Sequence, residues 1–150
     1  MPAKTLIKLA PYSMHPGFER MGQLESPEAK AYDPKALVEA MFSGAKAPLQ
    51  PLYRKLLALG LRLGKDVKAC PCKTIVPLYR RYVIAQLKPS TNTRIDLGFA
   101  LGDAKASGRL IDTGGRAKGD RITHRIPITK AADIDAEVGR WLKKAYSLDA

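Results

Sequence analysis

Between Arg94 and Leu101 the chain alternates without a break. Ile95, Leu97, Phe99 and Leu101 fall on one side, Arg94, Asp96, Gly98 and Ala100 on the other. A two-residue period fits a β-strand with one apolar and one open face, and it fits no helix. Arg121 to Ile128 repeats the pattern, setting Ile122, His124, Ile126 and Ile128 against Arg121, Thr123, Arg125 and Pro127. Half-buried strands need a second layer over their apolar side, so helices are expected on one face of a sheet.

The remaining patterns supply that layer. Asp33 is suited to cap a helix that opens at Pro34, carries Leu37, Val38, Met41 and Phe42 as its apolar stripe, and stops at Ser43-Gly44. Pro48 opens a second helix in which Leu49, Leu52, Leu56, Leu59 and Leu63 recur at steps of three and four. Tyr53 and Leu57 widen its face, Gly60 weakens it and Gly64 closes it. A last helix over about 131 to 146 places Ile134, Val138, Trp141, Leu142 and Ala145 together, with acidic residues early and basic residues late. Short strands are expected over 66–70, 74–79 and 82–88, with a wide or bulged bend at Arg80-Arg81 and an edge or bulge at Pro77. The sum is a two-layer α+β domain over 33–150, an antiparallel sheet of about four to five strands with helices packed on one face. Residues 1–32, rich in Pro and Gly, read as an extended N-terminal arm. Its Leu6, Ile7, Leu9, Phe18 and Met21 suit packing across the domain or across a second copy in a homodimer.

With 150 residues, 45% of them hydrophobic and 27% charged, the chain has material for one packed domain, which excludes a disordered or low-complexity protein. No apolar run approaches a membrane span, and Lys8 and Pro11 interrupt the opening before a signal-peptide core, so a cytoplasmic location is expected. Cys70 and Cys72 flank Pro71 too tightly for an unstrained disulfide and read as reduced thiols.

Charge is the strongest functional signal. The net +12 is concentrated in residues 70–130, where 12 basic residues face 4 acidic ones, whereas 131–150 hold 3 basic and 4 acidic. Such a field favours anionic partners. The candidate ligand-binding residues are Arg94, Arg125, Arg121, Lys88, Arg80, Arg81, Asp96 and Tyr79. Guanidinium forks suit the oxygens of a nucleotide, a phosphorylated metabolite or a nucleic-acid backbone. A solvated sheet face with Arg94 paired to Asp96 is the plainer alternative. Only Tyr79 and Tyr82 lie near the basic bend and no base-reading motif is present, so nucleic acid would be met through phosphate contact.

The 19-residue stretch from Gly102 to Asp120 holds five glycines. Its DTGGRAKGD portion could cradle an anion on backbone N–H groups beside Arg116 and Lys118, but it lacks Walker-loop spacing, and a flexible connection explains it equally simply. Cys70, Cys72 and His124, with Lys73 nearby, are the one thiol-enzyme candidate. His124 is in phase with Ile122 and Ile126, which favours a buried, hydrogen-bonded histidine instead. No catalytic set, no cofactor fingerprint and no metal-ligand spacing stands out, so a non-catalytic binding module is the expectation.

The blocks CPCKTIVPLYRRYVIAQLKPSTNTRIDLG, GRLIDTGG, DRITHRIPIT and RWLKKAY closely resemble a bacterial family known only as the domain of unknown function 5655 family. The resemblance covers about four fifths of the chain and implies the domain boundary and the cytosolic assignment, with no reaction attached. In longer relatives the domain follows a small helical module. Here MHPGFERM is similar to the start of that module, and the rest of it is absent or shortened.

Overall fold

The computed structural model describes residues 32–150, so the expected arm lies outside the described residues. Asp33 caps the first helix, α1 (Pro34–Met41), by accepting the Ala36 N–H at 3.1 Å, and Gly44 provides the left-handed exit at φ 58°. The second helix begins later than its proline suggested. Pro48 lies in a 3-10 turn (Gly44–Leu49), and α2 runs Gln50–Leu61 with Pro51 in its first turn. Its buried face is Tyr53, Leu56, Leu57 and Gly60, rotated from the expected leucine row, with Leu52 and Leu59 only partly covered. Gly60 explains the rotation. A Cβ there would stand 2.4 Å from Leu78 Cδ1, so the absence of a side chain lets α2 settle directly on the sheet.

That sheet has six strands, not four or five: β1 (Lys68–Ala69), β2 (Val76–Tyr79), β3 (Val83–Lys88), β4 (Ile95–Phe99), β5 (Ile111–Asp112) and β6 (His124–Ile128). All pairings are antiparallel, in the order β1-β2-β3-β4-β6-β5. The strand over 66–70 is present as the two-residue β1, and the one strand not read from the sequence, β5, is two residues long, too short to show a period. Pro77 lies one strand in from the edge, where β1 runs out. Opposite it, Cys70 donates its N–H to the Pro77 carbonyl at 3.0 Å, and the Cys70 carbonyl, which proline cannot serve, faces the Cys72 thiol at 3.6 Å. The register shifts between Leu78 and Tyr79, the irregularity expected before Arg80-Arg81.

Leu78, Ala85 and Phe99 lie abreast across β2, β3 and β4, as do Val76, Leu87 and Leu97. These rows join Tyr53, Leu56 and Leu57 of α2 and Val138, Leu142 and Ala145 of the last helix, α3 (Ala136–Leu148), in one buried cluster. Each fully buried leucine or phenylalanine there contributes about 1.5–3 kcal/mol, so packing rather than propensity fixes the helices. Among the described residues, no helix is long and apolar enough to cross a membrane.

Candidate functional site

On the opposite side of the sheet, register brings Lys88 beside Asp96 across β3 and β4, and sets Gln86, Gly98 and Arg125 in a row across β3, β4 and β6. Asp96 is only 8% exposed and is the hub of the site. Arg125 Nη1 donates to its Oδ1 at 3.2 Å from the diagonal position, and Ser90 Oγ donates to Oδ2 at 2.5 Å. Arg94 Nη2 donates to Oδ2 at 3.3 Å, and its Nε stands 3.1 Å from Oδ1 at an angle outside hydrogen-bond geometry. One carboxylate thus orients two guanidinium groups, and Lys88 adds a third positive charge. A guanidinium has five N–H donors, so most of those of Arg94 and Arg125 remain for something else.

These side chains line one concavity of about 450 Å³, a size suited to a small ligand. The far wall comes from the glycine-rich stretch. Thr113, Gly115, Asp120 and Ile122 line it. This segment is folded onto itself: Asp112 Oδ1 accepts the Gly114 N–H at 2.7 Å, Thr113 Oγ1 accepts the Gly115 N–H at 3.0 Å, and Gly115 O accepts the Asp120 N–H at 2.8 Å. The N–H groups of Gly114, Gly115 and Asp120 are therefore taken within the segment and are not free to cradle an anion. Arg116 and Lys118 sit exposed outside the lining. Gly115 is packed so closely that a Cβ would meet the Ile122 carbonyl at 2.1 Å, which holds the wall against β6.

The alternation expected over Arg121–Ile128 breaks at its start. Thr123 is buried, not on the open face. It donates its N–H to Phe99 O at 2.9 Å and accepts the Leu101 N–H on Oγ1 at 3.0 Å. Ile122 is thereby turned out of the core and over Gly98, where a Cβ would stand 2.8 Å from Ile122 Cγ2 and 3.1 Å from Gln86 Cγ. Gly98 is the pocket floor because no larger residue fits between these two side chains.

Of the sequence-derived candidates, Lys88, Arg94, Asp96 and Arg125 meet in the pocket. Arg80, Arg81, Arg121 and Tyr79 do not. Arg80 Nε donates to Asp66 Oδ2 and Nη1 to Tyr146 O, both at 2.8 Å, with the guanidinium 3.9 Å from the Tyr146 ring centroid. Arg121 Nη2 donates to Val83 O at 3.0 Å and to Asp149 Oδ1 at 3.3 Å, and its guanidinium stands over the Tyr82 ring. The Arg81 and Tyr82 N–H groups donate to Asp149 Oδ2 at 2.6 and 3.0 Å. This second cluster clasps the C-terminal end of α3 to the β2–β3 bend. Tyr79 is 7% exposed, and burial pushes its phenol up. Sequence reasoning missed Ser90, Thr113, Asp120 and the outward turn of Ile122. Only the density of glycine and charge after Asp112 hinted at the wall.

The thiol candidates take different environments. Cys70 is buried, burial pushes the Cys72 thiol up, and His124 Nδ1 shares a 2.7 Å hydrogen bond with Thr123 Oγ1 deep under the sheet. A raised thiol is the opposite of what a thiolate nucleophile requires. Among the described residues no three His, Cys, Asp or Glu side chains gather as metal ligands do.

No curated protein and no solved structure matches the chain. A family profile does, over residues 38–149, spanning all six strands and both the pocket and the clasp. That match covers most of the chain, which belongs to the family described as Domain of unknown function (DUF5655).

Proposed function

We propose that this protein is a cytoplasmic, non-catalytic module that binds a small anionic ligand in the pocket on the open sheet face. The observation that carries the reading is the imbalance at Asp96: Arg94, Arg125 and Lys88 converge on one concavity around a single buried carboxylate. A phosphate or carboxylate entering there would meet oriented forks and would not have to order them, which lowers the cost of binding. Asp96 and Asp120 line the same concavity and would repel an extended polyanion, which favours a compact ligand over a nucleic-acid backbone.

Calorimetric titration with inorganic pyrophosphate, nucleoside monophosphates and a short oligonucleotide tests this. Each charge-assisted bond contributes about 1.5–3 kcal/mol, so Arg94→Ala/Arg125→Ala is expected to weaken the best ligand by about 100-fold or more. Raising salt is expected to weaken it as well. Affinity that ignores salt, or that is equal in the double variant, would overturn the reading.

A further inference from the structure

Two charged side chains of the pocket have no hydrogen-bond or ion-pair partner among the described residues: Lys88 on β3 and Asp120 on the far wall. They come from different elements of the pocket. Lys88 and Asp96 form one row, and Gln86, Gly98 and Arg125 form the next, a two-residue step of about 6.6–6.8 Å. Ile122 covers Gly98, Gly115 abuts the Ile122 carbonyl, and Asp120 is anchored on Gly115. Asp120 therefore belongs to the far wall, and no ion pair joins it to Lys88, so the two do not neutralise each other through direct contact. The concavity thus presents an unpaired positive charge from the sheet and an unpaired negative charge from the far wall, with Ile122 also in its lining.

A simple anion satisfies only one of those charges. We propose that the ligand is bipolar, resting on the anion reading above: a phosphate or carboxylate held by Lys88, Arg94 and Arg125, and an amino group directed to Asp120. The negative charge discriminates by chemistry. A carboxylate accepts hydrogen bonds from an amine and attracts an ammonium, so matched ligands that lack the amine at that point are told apart. An exocyclic amine on a nucleobase and the ammonium of an amino-sugar phosphate share this chemistry.

The test uses the full chain and two matched pairs of probes, adenosine against purine riboside monophosphate, which has hydrogen in place of the exocyclic amine, and glucosamine 6-phosphate against glucose 6-phosphate, titrated by calorimetry. In at least one pair the amino member is expected to bind about 5- to 20-fold more tightly, and which pair responds identifies the source of the amine. Asp120→Asn, whose side chain supports no contact in the fold, is expected to erase that preference while the non-amino member binds equally or slightly better. Equal binding within both pairs, or a preference that survives in Asp120→Asn, would overturn the bipolar assignment and leave the anion site standing. Probes that all fail to bind, or that bind Arg94→Ala/Arg125→Ala equally well, would overturn the anion site itself.

Discussion

The two arginine clusters of this domain use the same side chains to opposite ends. At the clasp, the Arg80 guanidinium has a carboxylate, a backbone carbonyl and an aromatic face, and Arg121 has a carbonyl, a carboxylate and a ring. In the pocket, Arg94 and Arg125 divide one carboxylate between them and Lys88 has none. A guanidinium whose acceptors all come from its own fold is a fastener. One held in place but left with spare donors is equipped for a ligand. What separates the two regions is the number of acceptors within reach, which local charge density does not report.

The largest expected effect breaks the comparison at its structural end. Asp149 is 6% exposed and accepts the Arg81 and Tyr82 N–H groups as well as Arg121. Asp149→Ala strands two backbone donors and a guanidinium at once, and is expected to cost about 2–3 kcal/mol in urea unfolding while leaving ligand affinity in the folded protein unchanged. A loss of affinity without a loss of stability would reverse the roles assigned to the two clusters.

Acid should act more gently, on the structural carboxylates at the two ends of α3. The Thr129 N–H holds the Asp133 carboxyl below its usual range, the Val138 N–H does so for Asp135, and the Arg109 guanidinium does so for Glu137. At the other end of α3, the Arg80 guanidinium lowers Asp66. A carboxyl lowered in the folded state contributes stability that is fully present above its unfolded value and is lost as pH falls through the folded one. Stability is therefore expected to be flat from pH 7 to about 5 and to fall below about 4, the ordinary carboxylate range. Trp141 reports it directly, because its Nε1 donates to Glu137 Oε2 at 3.3 Å. Following Trp141 fluorescence and the urea midpoint from pH 7 to 2.5 checks this. A loss that begins well above pH 5 would assign acid sensitivity to groups other than the α3 carboxylates.

The layers of the fold were legible because burial imposes periods, and long elements repeat them often enough to be read. The α1 cap at Asp33, the stop at Gly44 and the core face of Ile95, Leu97, Phe99 and Leu101 followed from local pattern, whereas Asp96, Gly98 and Ala100, expected on an open face, are buried as well. Tertiary demands decided the rest. Leu78 drew the Gly60 face of α2 inward, and the Leu101 N–H captured Thr123, turning Ile122 into the pocket. The site was half legible for the same reason. Lys88, Arg94, Asp96 and Arg125 follow strand phase, or in the case of Arg94 immediately precede a strand, whereas Arg80 and Arg121 sit where the chain bends. There, partners 66 and 28 residues away in sequence determine their direction.

The smallest stability effect is the sharpest probe of function. Asp96 resembles Asp149 in being a buried carboxylate with several donors, but its partners are side chains near solvent: those of Arg94 and Arg125 are 38% and 35% exposed and can rehydrate. Asp96→Asn keeps an acceptor for Ser90 and one guanidinium, so its stability cost is expected to be only about 1 kcal/mol. Its effect on binding has the opposite sign. Removing the one negative charge beside them leaves Lys88, Arg94 and Arg125 unopposed, so a small anion is expected to bind severalfold more tightly at low salt, with a steeper loss as salt is added. Titrating Asp96→Asn beside the native protein at two ionic strengths measures both changes. If affinity falls instead, Asp96 acts chiefly by orienting the two forks, and the charge imbalance alone would not account for the site.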